Sequence, residues 1–266
     1  MKVALFGNYH QEVSDRIRQF LQCQPGVTIV DSDTDCDMAL SIGGDGTFLR
    51  TAARIGCSGT PILGVNAGHL GFLADVPLSE IETALPAILV EGKYVVDNRN
   101  LLKLEILDCH QPYQHYALNE VAVLKRDHSS MVSVSVYVDG KLLNQYDGDG
   151  LVIATPTGST AYAMSAGGPI LEPGSRCWVI VPIAPHSLTT RPLVIRDNAQ
   201  LDIEVESRNN LFLVSTDGQT VHLTTQSRLC LTRAEHQVGV VRRPDHTFFD
   251  TLREKLMWGK DGRYLQ

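Results

Sequence analysis

Residues 41 to 50 read Ser41-Ile42-Gly43-Gly44-Asp45-Gly46-Thr47-Phe48-Leu49-Arg50, a glycine-rich turn with one carboxylate at its apex, following the apolar run Met38-Ala39-Leu40. Glycine has no Cβ, so its N–H can approach a phosphate oxygen, and a helix beginning near Thr47 adds the positive end of its dipole at the same place. That chemistry is polyphosphate binding. No G-x-x-x-x-G-K-[ST] sequence occurs in the chain, so the phosphate-bridging lysine of a P-loop is missing, and Asp45 stands where a γ-phosphate would lie. An acid at that point suits a base or a metal ligand. The same residues also suit a tight Asp-Gly turn between a strand and a helix, and taken alone they do not choose between the two.

A second constellation chooses. Residues 147 to 168 place the apolar run Leu151-Val152-Ile153-Ala154 between an acidic turn, Asp147-Gly148-Asp149-Gly150, and a hydroxyl-rich loop, Thr155-Pro156-Thr157-Gly158-Ser159-Thr160-Ala161-Tyr162. With Gly43-Gly44-Asp45-Gly46 and the pair Asn119-Glu120, the chain resembles the NAD kinase family, and the resemblance runs across nearly its whole length. Gly64 to Leu73 and Pro185 to Val194 match as well. Diacylglycerol and sphingosine kinases and phosphofructokinases share the Gly-Gly-Asp-Gly signature, but are not expected to carry the Thr-Pro-Thr-Gly-Ser-Thr-Ala-Tyr stretch or the Asn-Glu pair.

The resemblance implies transfer of the γ-phosphoryl group of ATP to the adenosine-ribose 2′-hydroxyl of NAD, with Mg²⁺ as the divalent cation. It implies Asp45 as the general base, because a ribose hydroxyl is a poor nucleophile at neutral pH and needs a carboxylate to orient it and take its proton. Gly43, Gly44, Gly46 and Thr47 form the phosphate loop, and Arg50 is its cation. Asn119 and Glu120 match the pair that holds the adenosine portion of the dinucleotide, where Glu accepts from a hydroxyl and Asn both donates and accepts. Asp149, Thr160, Ala161, Tyr162 and Ser165 match further ligand-contacting positions, and Phe72 and Gln219 fall at others. One departure stands out: many members carry Arg two residues before the acid of Asp-Gly-Leu, and here that residue is Asp147.

Readings from other classes start from the same residues. Ala163-Met164-Ser165-Ala166-Gly167 resembles a loosened nucleophile elbow, and Asp217 and His236 downstream complete the order of a hydrolase triad. An elbow serine follows directly on a buried strand, whereas Ser165 follows a polar loop. A lipid kinase needs an apolar mouth for its acyl chain, and neither signature loop is rich in large apolar residues. A non-catalytic nucleotide sensor has no need of Asp45, which this chain keeps.

The elements that must position these residues are legible from periodicity. Val3 to Phe6, Met38 to Ile42 and Ile62 to Val65 read as strands, and Val13, Ile17, Phe20 and Leu21 recur at helical spacing, as do residues from Phe48 to Ile55. Such alternation predicts a parallel sheet with helices on its faces, whose ligands sit beyond the carboxyl ends of the strands. After about residue 100 the period becomes two. Leu102, Leu104 and Ile106 alternate, as do Leu201, Ile203 and Val205, and Met131 to Val138 alternates up to Asp139-Gly140, a hairpin signal. Pro182, Pro185 and Pro192 confine neighbouring strands to edges and predict an irregular loop around Ala184 to Arg191. Phe248 to Trp258 returns to helix, with Phe249, Leu252 and Leu256 on one face.

The expected architecture is therefore an α/β domain with a parallel sheet, residues 1–99, followed by a mostly β domain that binds NAD, residues 100–246. The resemblance implies that the C-terminal helix, within 247–266, packs back on the first domain. An apolar content of 43% suffices for such cores, and no run is long enough for a membrane span. The six cysteines, at 23, 36, 57, 109, 177 and 230, show no C-x-x-C spacing and read as reduced thiols of a cytoplasmic protein. A net charge of −7 with no basic run argues against nucleic acid or an anionic membrane as partner. The family's habit implies a homo-oligomer, dimer or tetramer.

Overall fold

The computed structural model describes residues 1–7, 11–33, 35–66, 68, 71–107, 113–127 and 130–258. Cys109, Ala67, His69, Leu70 and the tail 259–266, all part of the sequence-based reading, lie outside them. The chain divides into two compact units, Met1–Asn98 with Val238–Gln266, and Arg99–Gln237.

The first unit is α/β. Its elements in order are β1 (Lys2–Phe6), α1 (Gln11–Gln22), β2 (Thr28–Val30), β3 (Met38–Ile42), α2 (Asp45–Ile55), β4 (Ile62–Asn66), β5 (Val76–Pro77) and α3 (Ile81–Leu89). Strand β1 pairs in parallel with β2 and β3, β3 with β4, and β4 with β5. Every residue of β3 and β4 is buried, which is why both read as apolar runs rather than as alternation. Ile17 and Leu21 of α1 and Ile81, Leu85 and Ile88 of α3 cover this sheet in one apolar cluster.

Helix α2 begins at Asp45, earlier than the sequence suggests. Gly44 is extended, with φ −85° and ψ −175°, and its carbonyl accepts from the N–H groups of Thr47 and Phe48, so the first turn closes directly behind it. Asp45 is thus the first helical residue rather than the apex of a turn. Thr51 Oγ1 lies 3.1 Å from Ser41 Oγ and fastens the helix to β3.

The second unit is almost entirely β. It holds the length of β6 (Val95–Leu107) beyond Asn98, β7 (Tyr113–Ala117), β8 (Glu120–Lys125), β9 (Val132–Val138), β10 (Lys141–Gly148), β11 (Gly150–Ala154), a short helix α4 (Tyr162–Ser165), β12 (Cys177–Ile183), β13 (Leu193–Arg196), β14 (Leu201–Ser207), β15 (Leu211–Thr216), β16 (Gln219–Thr224) and most of β17 (Arg228–Arg242). One sheet runs β13-β12-β11-β8-β15-β16. A second set of strands pairs as β10-β9-β14-β17, and β6 pairs with β17 and β7. Alternate residues such as Val134, Ile203, Val123, Ile153, Trp178 and Phe212 meet in one core between the sheet faces, the expected result of period-two patterning. Ala163 packs with Val152, Ala154, Val179 and Val181 on the other face of β11, so that strand is buried on both sides.

The hairpin at Asp139-Gly140 joins β9 to β10 as the alternation predicts, and residues 184 to 191 form neither helix nor strand. Pro182 lies inside β12, paired with Leu151 of β11; β13 pairs with β12 only as far as Ile180, so the proline falls where the outer side has no ladder to complete. A second Asp-Gly turn, Asp217-Gly218, joins β15 to β16. Cys23, Cys36, Cys57, Cys177 and Cys230 are free thiols.

After β17, whose Val240 pairs in parallel with Ile62 of β4, the chain forms α5 (Phe248–Leu256) within the first unit. The face of α5 turned inward differs from the one the apolar spacing suggests. Leu252 is buried and Phe248 meets Phe72 with ring centres 6.2 Å apart, whereas Phe249 is 52% exposed.

Candidate active site

Asp45 is anchored by the backbone of a segment well removed from it in the chain. Phe72 N–H donates to Oδ2 at 2.9 Å, and Leu73 N–H and Ala74 N–H donate to Oδ1 at 3.0 and 3.4 Å. Lys255 Nζ, from α5, lies 3.5 Å from Oδ2 and 4.5 Å from the centre of the Phe72 ring. A Cβ on Gly71 would stand 2.1 Å from Asp45 Oδ1, so only glycine lets this chain segment come so close.

Tertiary contacts fix that segment from its other side. Buried Arg242 donates from Nη1 to the Phe72 carbonyl at 3.2 Å. Arg243 N–H donates to Asp75 Oδ2 at 3.3 Å, and His246 Nδ1 lies 2.5 Å from Asp75 Oδ1. Sequence reasoning missed Lys255, Arg242 and Asp75. Lys255 had a signal: a cation three or four residues beyond Thr251 and Leu252 continues the buried stripe of its helix. The two others had none, because their partners lie 168 and 170 residues away.

The glycine-rich turn leaves fewer amides free than its sequence suggests. Gly43 N–H already donates to the Val65 carbonyl at 2.8 Å, and Thr47 N–H to the Gly44 carbonyl at 2.9 Å. Both amides are engaged within the fold, the one of Gly43 being among those assigned to phosphate from the sequence. The amides of Asp45 and Gly46 open α2, whose Gly44 cap contributes no side-chain bond, and by position they have no intrahelical acceptor. Arg50 is exposed one turn further on, with Nη2 3.0 Å from Thr47 Oγ1.

In the second unit the hydroxyl-rich loop packs against the Asn119-Glu120 pair. Thr155 N–H donates to the Asn119 carbonyl at 2.9 Å and Thr155 Oγ1 to the Leu118 carbonyl at 2.6 Å. A Cβ on Gly158 would stand 2.2 Å from the Asn119 carbonyl oxygen, so this glycine too is a contact requirement. Asp217, read from the sequence only as the acid of the rival hydrolase triad, sits in the β15–β16 turn at φ 47° and accepts from Leu118 N–H at 2.7 Å, Asn119 N–H at 2.9 Å and Glu120 N–H at 3.0 Å.

These contacts leave two acceptors without partners in the interior, Asn119 Oδ1 and Glu120 Oε2. Burial, then the neighbouring Asp217 charge, push Glu120 up to about 7 against the opposing pull of the Tyr162 N–H. Burial also raises Asp217, against the three amides that pull it down. A carboxyl poised near neutrality beside an unpartnered amide oxygen can donate to or accept from a bound hydroxyl or base edge.

The remaining sequence-predicted residues fall into place unevenly. Tyr162 and Ser165 are exposed on α4, Thr160 Oγ1 donates to the Thr157 carbonyl at 3.2 Å, and Ala161 N–H to the Gly158 carbonyl at 2.9 Å. Gln219, exposed, opens β16 opposite Thr216 and so flanks Asp217. Asp149 is not gathered with them. Strands β8 and β11 are antiparallel, with Glu120 opposite Ala154 at one end and Leu124 opposite Gly150 at the other, where Asp149 pairs with Lys125 at 2.6 Å.

The hydrolase reading has no geometry behind it. Ser165 ends a four-residue helix rather than topping a strand, Asp217 is committed to three amides, and His236 stacks edge-on against Tyr116 with centres 4.5 Å apart. Among the described residues, no group of three or more His, Cys, Asp or Glu is placed to hold a metal ion.

The chain matches known proteins along most of its length. Residues 12–94 match the model of the ATP-NAD kinase N-terminal domain and residues 118–243 that of the ATP-NAD kinase C-terminal domain. The NAD kinase of Bacteroides fragilis is 50% identical over 233 residues, 88% of this chain and 80% of the relative. That of Flavobacterium psychrophilum is 45% identical over 235 residues, again 88% and 80%. Among solved structures, an NAD kinase from Archaeoglobus fulgidus in complex with ATP aligns with a TM-score of 0.81 at 27% identity, over 97% of this chain and 99% of that one. Yeast NADH kinase complexed with NADH aligns at 0.88 with 20% identity, over 100% and 90%, a likeness of fold.

Proposed function

This chain belongs to the ATP-NAD kinase family, and on that premise we propose how its own residues carry the reaction. The reaction is ATP-dependent phosphorylation of NAD. The bond between the γ-phosphorus and the β,γ-bridging oxygen breaks, a bond forms from that phosphorus to the 2′-oxygen of the adenosine ribose, and ADP leaves. The hydroxyl proton must go to an acceptor, and Asp45 takes it.

What supports Asp45 is its setting: a carboxylate fixed by three backbone amides at the start of α2, where the helix dipole and the Asp45 and Gly46 amides favour phosphate. A carboxylate is a weak base for an alcohol, so its contribution is orientation and late proton acceptance, which a loose transition state tolerates. Asn119 and Glu120 hold the adenosine portion through the two unpartnered oxygens, with Tyr162, Thr160, Ala161, Ser165 and Gln219 around it. Phe72 supplies an amide to Asp45 and a ring to α5, and Arg50 adds positive charge beside the phosphates.

The donors around Asp45 fit a magnesium ion that arrives on the triphosphate rather than one caged by protein, because the carboxylate oxygens are already engaged by four donors. The cation is therefore part of the MgATP substrate. A cytosolic location and a homo-oligomeric state, dimer or tetramer, complete the proposal; among the described residues no helix is long and apolar enough to cross a membrane.

The test is turnover of purified protein with ATP and Mg²⁺, reading NADP with a specific dehydrogenase. NAD is expected to be used with a far higher kcat/KM than adenosine or a diacylglycerol, since binding energy from the remote half of the dinucleotide orients the reacting ribose. Equal use of a nucleoside or a lipid would defeat the assignment.

A further inference from the structure

The turn that lacks a P-loop lysine nevertheless has a lysine beside it. Lys255 reaches Asp45 from α5, 210 residues later in the chain, with Nζ 3.5 Å from Oδ2 and 4.5 Å above the Phe72 ring. Its side chain is 32% exposed and that of Asp45 29%, and a pair at such distance and exposure contributes little to stability. Stability therefore does not account for the placement.

Asp45 itself suggests what does. A carboxylate offers about four lone-pair positions, and three are filled by amides that the backbone holds still. The fourth donor, Lys255, stands at the greatest distance and on a flexible stem. A ribose hydroxyl reaches Asp45 only when that position is vacated. A γ-phosphate at the uncapped start of α2 carries more charge than one carboxylate, and is the acceptor to which the ammonium moves.

We propose that Lys255 is a catalytic residue: in the free protein its ammonium occupies the outer oxygen of Asp45, and on donor binding it shifts to the phosphoryl group being transferred. The shift stabilises charge on that group and opens Asp45 to the hydroxyl in one movement. The lysine keeps its proton throughout, and the bonds made and broken are those of the reaction above. This inference rests on Asp45 being the proton acceptor.

Lys255→Met, which keeps the apolar stem over Phe72, and Lys255→Arg are compared with wild type in kcat, both KM values and thermal melting, and in affinity for inorganic tripolyphosphate without turnover. In the Met variant kcat should fall about a hundredfold, the usual loss of one transition-state donor. Tripolyphosphate should bind about tenfold more weakly, as expected for one charge-assisted contact, with KM for NAD nearly unchanged and partial recovery in the Arg variant. If Met prevents folding, Lys255→Gln serves in its place. A folded variant with wild-type kcat overturns the inference, and so does a slow variant with unaltered tripolyphosphate affinity, because the lysine would then act only through Asp45. Failure of the wild-type protein to form NADP would instead overturn the proposed function, a separate result.

Discussion

In the proposed mechanism Asp45 is a general base, which must be held still and yet keep a lone pair available, two demands that conflict. Its three amide donors satisfy the first; Lys255, on a long side chain at 3.5 Å, is the partner among the described residues that can yield to the second. Asp45→Asn preserves size and the capacity to begin a helix but not the proton acceptor, so kcat should fall by about two to four decades. The melting temperature should also drop slightly, because an amide NH₂ cannot accept from the N–H groups of residues 72 to 74. Steady-state kinetics beside a thermal melt check both; a folded variant with near wild-type kcat would remove Asp45 from the mechanism. Asn119 and Glu120 pose the opposite case. Their unpartnered buried oxygens are costly in the free protein and become satisfied when a ligand supplies the missing donors.

At the level of elements, α5 decides whether Lys255 and Phe248 arrive at all. Nine residues are too few for an isolated helix to be stable in water, so its ends matter. Thr247 and Asp250 form a reciprocal capping box: Asp250 N–H donates to Thr247 Oγ1 at 3.3 Å, and Thr247 N–H to Asp250 Oδ2 at 2.9 Å. Thr247→Ala should cost about 1 kcal/mol, lowering the melting temperature by a few degrees, and Thr247→Ser should restore it. Since α5 carries Lys255, the Ala variant should also lose activity in the same proportion as helix order, read by amide exchange across residues 248 to 256. Activity untouched by a frayed α5 would show that the helix takes no part in catalysis. The antiparallel pairing of β8 with β11 works in the other direction: it carries Asp149 to the far end of the strands from Glu120.

For the whole molecule, a net charge of −7 means that positive potential for two anionic substrates is local, from Lys255, Arg50 and the start of α2, rather than general. The cost of building the proposed dinucleotide site should appear in the pH dependence of stability. Glu120 titrates at about 7 in the folded protein, above its ordinary value, so the fold favours the protonated form. Its contribution to stability is fully present below the unfolded value, near 4.5, and is lost as pH rises through about 7, where the folded protein must hold a buried charge. Glu120→Gln carries no such charge. Its melting temperature should exceed that of the wild type at pH 8 by several degrees and converge with it toward pH 5, the full effect being on the order of a few kcal/mol. Parallel curves for the two proteins across that range would show that Glu120 is not desolvated.

Much of this protein was decided locally and is therefore legible in its sequence. The apolar runs of β3 and β4, the period-two strands of the second unit and the helical spacing in α1 and α2 each follow from which faces of an element are buried, and burial patterns are written residue by residue. The Gly-Gly-Asp-Gly turn, the Asn-Glu pair and the Thr-Ala-Tyr stretch are contiguous motifs, legible for the same reason. Tertiary structure decided the rest. That α2 starts at Asp45 depends on Gly44 closing the turn, and that the Gly43 amide is engaged depends on Val65 in the neighbouring strand. That Phe248 rather than Phe249 faces inward depends on where Phe72 lies. The partners of Asp45 are 27 to 29 and 210 residues away, and those of Asp217 97 to 99, separations at which no local propensity acts and only the folded chain brings donor and acceptor together.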